Sequence, residues 1–155
     1  MAMRSAREKA TGKGIGMSFA AIPRWVMRSE DFRSIGGNAT KVLIWLVCEY
    51  RGKNNGDLSA TFSQAKEWGI KGKDTLARAL KELLKAGLIV RTREGTFLNP
   101  GGRCALYAVT WLPVDECPGK DLEIQPTRGP LRQAWPKDKK LGSDFKSFGL
   151  VSGTK

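Results

Sequence analysis

The chain has no histidine, and that gap excludes a His-dependent catalytic triad and any His-ligated metal centre. Cysteine is scarce. Cys48, Cys104 and Cys117 stand far apart with no CxxC pair, which argues against a zinc site, and an odd count suits a reducing compartment. Cys48, inside an apolar stretch, reads as a small core residue. Long apolar runs are missing as well. The longest, Val42 to Cys48, falls well short of the roughly 18 residues of a membrane span, so no membrane association is expected. The basic N-terminus is interrupted by Gly12 to Gly16 and leads into no long apolar segment, so no secretory signal is expected and the protein reads as intracellular. A phosphate-binding loop is absent too: Gly12-Lys13-Gly14 lacks the remaining glycine and Ser/Thr spacing. Glu49, Glu67 and Glu82 are isolated carboxylates. These absences predict a protein that is not an enzyme, with no catalytic residues, no metal and no cofactor.

What the chain has is positive charge. Its 155 residues carry 27 Lys plus Arg against 15 Asp plus Glu, a formal net charge of +12. An acidic partner is implied, nucleic acid before an anionic surface. The excess is uneven: residues 1–18 and 118–155, under two-fifths of the chain, supply seven of the twelve net charges. The length suits one domain with tails. The expected organisation is a disordered basic arm over 1–18, a folded domain over 19–117, and a basic Pro/Gly-rich tail over 118–155. That tail holds four of the seven prolines and no periodic pattern.

Within 19–117 the pattern changes several times. Ala20 to Val26, containing Ile22-Pro23, predicts an extended segment or turn. Ser29 can cap a short helix over Glu30 to Ile35, with acids in its first turn. Gly36-Gly37 breaks it. Asn38 is the expected cap of a longer helix, Ala39 to Tyr50 or Arg51, closed by Gly52. Its apolar set is Val42, Leu43, Leu46, Val47 and Tyr50, with Ile44, Trp45 and Cys48 widening the stripe, so it is placed at the centre of the core. Asn55-Gly56 reads as a turn and Asp57 to Ala60 as a short strand. Thr61 or Ser59 caps the next helix, which runs to Trp68 and stops at Gly69. A further helix spans Lys73 to Ala86, with Gly87 as its stop. Leu88 to Arg93 and Cys104 to Leu112 read as strands around a turn containing Asn99-Pro100-Gly101.

The Lys73–Ala86 helix is the most informative element. At 100° per residue, Leu76, Ala79, Leu80, Leu83 and Leu84 form one face, Asp74, Arg78, Lys81 and Lys85 lie opposite, and Thr75 is on the flank. A leucine face packed inward pushes the basic face outward, where a major groove can accept it. The preceding helix and Gly turn, with the following hairpin, complete the element order of a winged helix-turn-helix. The fold class expected is therefore α+β, mainly α: three to four helices plus a two- or three-stranded β wing, with flexible basic termini. Lys71, Lys73, Thr75 and Arg78 fall where such a helix meets base edges, and Lys81 where it meets phosphates. Arg78 has the fork that pairs with guanine O6 and N7. In a period-two strand Arg91 and Arg93 share a face, and with Arg103 they would line a wing that reaches the backbone or a minor groove. An ordinary solvated helix and a charged edge strand are the plainer alternatives. Trp25, Trp45, Trp68 and Trp111 read as core or interface residues. Trp135 stands apart, in a polar tail with flanking cations.

The run Lys73-Asp74-Thr75-Leu76-Ala77-Arg78-Ala79-Leu80-Lys81-Glu82-Leu83-Leu84-Lys85-Ala86-Gly87-Leu88-Ile89 resembles the T-hydrophobic-x-R-A-L-x-x-L-x-x-x-G-hydrophobic-I stretch of winged-helix proteins. Bacterial GntR-type and MarR-type regulators and plasmid or phage replication initiators share that stretch. The longer run Phe19 to Pro113, with Asn54-Asn55-Gly56 and Leu106 to Trp111, is similar to small helix-turn-helix proteins of proteobacterial prophages and mobile elements. The resemblance implies double-stranded DNA as partner, with Thr75 and Arg78 at contacting positions, in a bacterial cytoplasm near the nucleoid. It leaves three roles open: a transcriptional regulator, a replication initiator or accessory factor, and a protein-interaction module or phage-encoded inhibitor. The chain departs from the GntR pattern in lacking an effector domain, and from plasmid initiators in lacking a second winged-helix domain. A homodimer, and a protein partner reached through 118–155, are both open.

Overall fold

A computed structural model describes residues 18–96 and 102–132. The expected basic arm up to residue 17, the hairpin tip at 97–101 and the tail from 133 onward, with Trp135, lie outside the described residues. Among the described residues the chain is α+β and mainly helical, with five helices and a three-stranded antiparallel sheet.

The chain enters without regular structure and turns at Pro23 into α1 (Arg24–Met27), where a helix replaces part of the expected extended segment. Proline's fixed φ and missing N–H suit a helix entry, and the Pro23 carbonyl accepts from the Val26 and Met27 amides. α2 (Glu30–Ser34) starts as the sequence suggested, with the Ser29 hydroxyl accepting from the Phe32 amide. α3 (Gly37–Glu49) starts two residues earlier than expected. Asn38 is not its cap. Gly36 holds the N-cap position, and the Gly36 amide donates to the Glu82 carboxylate at 2.8 Å, so a carboxylate from another helix caps this end.

β1 (Leu58–Ser59) leads to α4 (Phe62–Glu67), which has a full capping box: Thr61 accepts from the Gln64 amide while the Gln64 side chain accepts from the Thr61 amide. Gly69, at φ +87°, turns the chain toward α5 (Lys73–Lys85), and Gly87, at φ +70°, ends that helix. β2 (Ile89–Arg93) and β3 (Leu106–Val109) follow, and β3 lies between β1 and β2. The central strand is buried along its length.

The core lies between α3, α5 and the sheet. Val42, Leu43, Leu46 and Val47 of α3 meet Leu76, Ala79 and Leu83 of α5, with Leu58, Ala65, Ile70, Ile89 and Val109 closing the layer. Each fully buried leucine or isoleucine contributes roughly 1.5–3 kcal/mol. Ile44, Trp45 and Cys48, expected in this core, are instead on the exposed side of α3. A helix has one inward face, and Val42, Leu43, Leu46 and Val47 fill it.

Asn55, expected as a turn residue, is fully buried. Its amide nitrogen donates to the carbonyls of Val109, Leu112 and Pro113, and its side-chain oxygen accepts from the Val109 amide. It therefore ties the turn after α3 to the end of β3. Residues 118–132, expected as the start of a tail, lie along the domain without helix or strand. Glu123 donates its amide to Thr92, Thr127 exchanges hydrogen bonds with Val114, and the Arg132 amide donates to Thr110. The Arg132 side chain is only 4% exposed, and its Nη2 bonds Asp31 at 2.8 Å and the α5-terminal carbonyls of Ala86 and Gly87 at 3.0 and 3.3 Å.

Candidate nucleic-acid interface

The leucine face of α5 is held inward: Leu76, Ala79 and Leu83 are buried, and Leu80 and Leu84 half-buried. The opposite face is thereby fixed toward solvent. Arg78, Lys81 and Lys85 are exposed along it, Lys73 is exposed on the flank at the helix start, and Lys71 is exposed in the turn before it. Arg78 Nε lies 3.4 Å from the Asp74 carbonyl one turn back, so this side chain runs along its own helix. Thr75 is half-buried and folds over the helix start, its Oγ1 3.2 Å from where a Cβ on Gly72 would stand. Thr75, Arg78 and Glu82 form one wall of a shallow cleft of about 250 Å³, opposite residues 36–39 at the start of α3.

Two residues not singled out from sequence, Phe62 and Lys66, lie beside Lys73. Lys66 and Lys73 both lie over the Phe62 ring, at 4.8 and 5.6 Å from its centroid. Such cation–π contacts hold ammonium groups near the surface without neutralising them. A lysine four residues after an aromatic on one helix was a signal available in the sequence.

The hairpin is built otherwise. Arg91 and Arg93 do not share a face. Arg91 pairs with Tyr107 and Arg93 with Leu106, so Thr92 is an extra residue in β2, a bulge that sends Arg93 to the other side. Thr92 is buried, its hydroxyl donating to the Gly56 carbonyl. Arg91 makes a double contact with Glu94, 3.0 and 3.1 Å, and its guanidinium lies 5.9 Å from the Tyr107 centroid. The Glu94 hydrogen bond raises the Arg91 pKa still further, and burial raises that of Tyr107. Arg93 is half-buried and donates to the Cys104 carbonyl at 2.8 and 3.2 Å and to the Lys120 carbonyl at 3.0 Å. Arg103 is half-buried, 3.6 Å from Glu123. Between hairpin and helices lies a cleft of about 530 Å³ that includes Phe62, Lys73, Leu76, Arg91, Glu94 and Arg103.

The eight sequence-derived residues thus divide. Lys71, Lys73, Thr75, Arg78 and Lys81 lie together along α5 and its lead-in. Arg91, Arg93 and Arg103 lie on the hairpin, each bonded to a neighbour within the chain. Among the described residues no group of three or more Cys, Asp or Glu side chains is arranged to hold a metal ion, and no helix is long and apolar enough to cross a membrane. No family model, curated protein or solved structure matches the chain.

Proposed function

We propose that the chain is a winged helix-turn-helix protein that binds double-stranded DNA in a sequence-dependent way, as a transcriptional regulator of a phage or mobile element. The observation that carries this reading is the α4–Gly69–α5 unit, with one leucine face packed inward and a row of exposed cations on the other. A helix offering Arg78, Lys81 and Lys85 on one accessible side suits the width of a major groove. Lys71 and Lys73 would meet the backbone beside the helix start, Arg78 would read a guanine, and Lys81 would meet a phosphate. The likeness of Lys73 to Ile89 to the winged-helix stretch supports the same reading from the residues alone.

The hairpin plays a smaller part in this proposal than the sequence suggested. Arg93 is a fold residue, bonded to two backbone carbonyls. Arg91 and Arg103 can reach a phosphate only by exchanging Glu94 and Glu123 for it. Specificity is therefore assigned to α5, and the phosphate contribution to Lys71, Lys73, Lys81 and the Lys66–Phe62 neighbourhood.

The test is binding of the full chain to fragments of its own genomic neighbourhood at about 150 mM salt with random duplex as competitor. A discrete fragment held about 10³-fold tighter than competitor supports sequence-specific recognition. Uniform, salt-labile binding to every fragment removes it and reduces the charge to non-specific adhesion.

A further inference from the structure

The exposed side of α3 carries chemistry that the core and the cationic face do not use. Ile44 is 45% and Trp45 36% exposed, although both are large apolar residues in the middle of a well-formed helix, and Cys48 is exposed beside them. At helical spacing Lys41, Ile44, Trp45, Cys48 and Glu49 lie on one side of α3. Trp45 is held in place by a parallel stack on Trp68, with ring centroids 5.8 Å apart and planes 9° apart. The centre of the patch is thus a fixed ring.

Its charges have a particular symmetry. Lys41 lies four residues before Trp45 and Glu49 four residues after it. Among the described residues neither is in an ion pair. If two copies of α3 cross antiparallel about a two-fold axis at Trp45, each Lys41 falls opposite the other copy's Glu49, and Trp45 packs on its own symmetry mate. An isologous contact demands this kind of self-complementarity.

We propose that this side of α3 is a self-association surface, occupied by a second copy of the chain in antiparallel register centred on Trp45. The face offers five side chains per copy, against roughly 20–30 residues a side in a standard stable interface, so the dimer is a weak one. The proposal does not depend on DNA binding, since it uses none of the α5 cations.

The experiment is sedimentation of the full chain at about 0.15 M salt, where repulsion between two strongly basic copies is screened beyond about 8 Å. Wild type should show a concentration-dependent monomer–dimer equilibrium. Lys41→Glu and Glu49→Lys should each weaken it about tenfold, because each puts two like-charged pairs in the contact, and the double variant K41E/E49K should restore it. Circular dichroism checks that each variant is folded. Both sites are exposed or partly so, whereas Trp45→Ala would also remove the stack on Trp68. A chain that stays monomeric at about 0.2 mM overturns the proposal and leaves the face to a different protein. A dimer insensitive to both single reversals, or one the double variant fails to restore, overturns the antiparallel register.

Discussion

Two sets of cations surround α5, and they are held differently. Along α5, Lys73, Arg78, Lys81 and Lys85 are exposed, and among the described residues none is in an ion pair. On the hairpin and the segment after it, Arg91, Arg93, Arg103 and Arg132 each hold a carboxylate or a backbone carbonyl of the chain. A count of Lys and Arg treats the two sets alike. Their physical roles differ, because a guanidinium already bonded inside the fold must give up those bonds before it can hold a phosphate.

The sharpest way to break that contrast is Arg132→Ala. It removes the partner of Asp31 in a nearly dry ion pair and takes a donor from the Ala86 and Gly87 carbonyls at the end of α5, of which Gly87 keeps the Thr110 hydroxyl. The expected loss in a urea unfolding experiment is about 3 kcal/mol, at the low end for such pairs because Arg132 Nε and Nη1 are buried without a partner among the described residues. A loss below about 0.5 kcal/mol would return the 118–132 segment to the status of a tail. Arg78→Ala should do the reverse: stability within about 0.5 kcal/mol of wild type, but a loss of about 1–3 kcal/mol at one base position of the target, with specificity relaxed there. Equal weakening on every sequence would demote Arg78 to a phosphate contact.

Arg93→Ala is the intermediate case. Its donors sit partly in solvent, so about 1 kcal/mol of stability should go, with the salt dependence of DNA binding unchanged. A salt slope reduced by about 0.9 would instead make Arg93 a phosphate ligand. Lys81→Ala should weaken binding to all duplexes alike and reduce that slope by about 0.9, with no effect on folding. The smallest expected effect is Glu94→Gln. Freed from its carboxylate, Arg91 becomes available, and non-specific affinity should rise two- to threefold, or about half a kcal/mol, in a fluorescence anisotropy titration. No rise would mean that Arg91 lies out of reach of the duplex.

Several features were legible before the structure because their causes are local. The cap expected at Thr61 or Ser59, the stops at Gly69 and Gly87, and the leucine spacing of α5 act within one or two turns of chain; the structure places the cap at Thr61. The helix they predict over 73–86 is present over Lys73–Lys85. The surface of α3 was not legible. Val42 to Cys48 is apolar at every position, so its pattern cannot say which residues face inward; Ile44 and Cys48, taken as widening the core stripe, face outward, as does Trp45, read as core or interface. The hairpin misled for another reason. One bulged residue, Thr92, inverts every side chain beyond it, and nothing in Ile89-Val90-Arg91-Thr92-Arg93 announces the bulge. Asn55 and Arg132 were missed because the partners of their side chains lie 45 to 101 residues away.

The sequence by itself determined where α2, α4 and α5 begin and stop to within a residue or so, which side of α5 is leucine and which is cation, and that the chain as a whole is strongly basic. Those properties follow from short-range backbone chemistry and from composition. Tertiary structure alone decided which arginines are held and which are exposed, which side of α3 faces outward, and that residues 118–132 belong with the domain. Those properties depend on hydrogen bonds and packing between residues far apart in the chain. No local period encodes them, and they are fixed only when distant carbonyls, carboxylates and apolar faces are brought together.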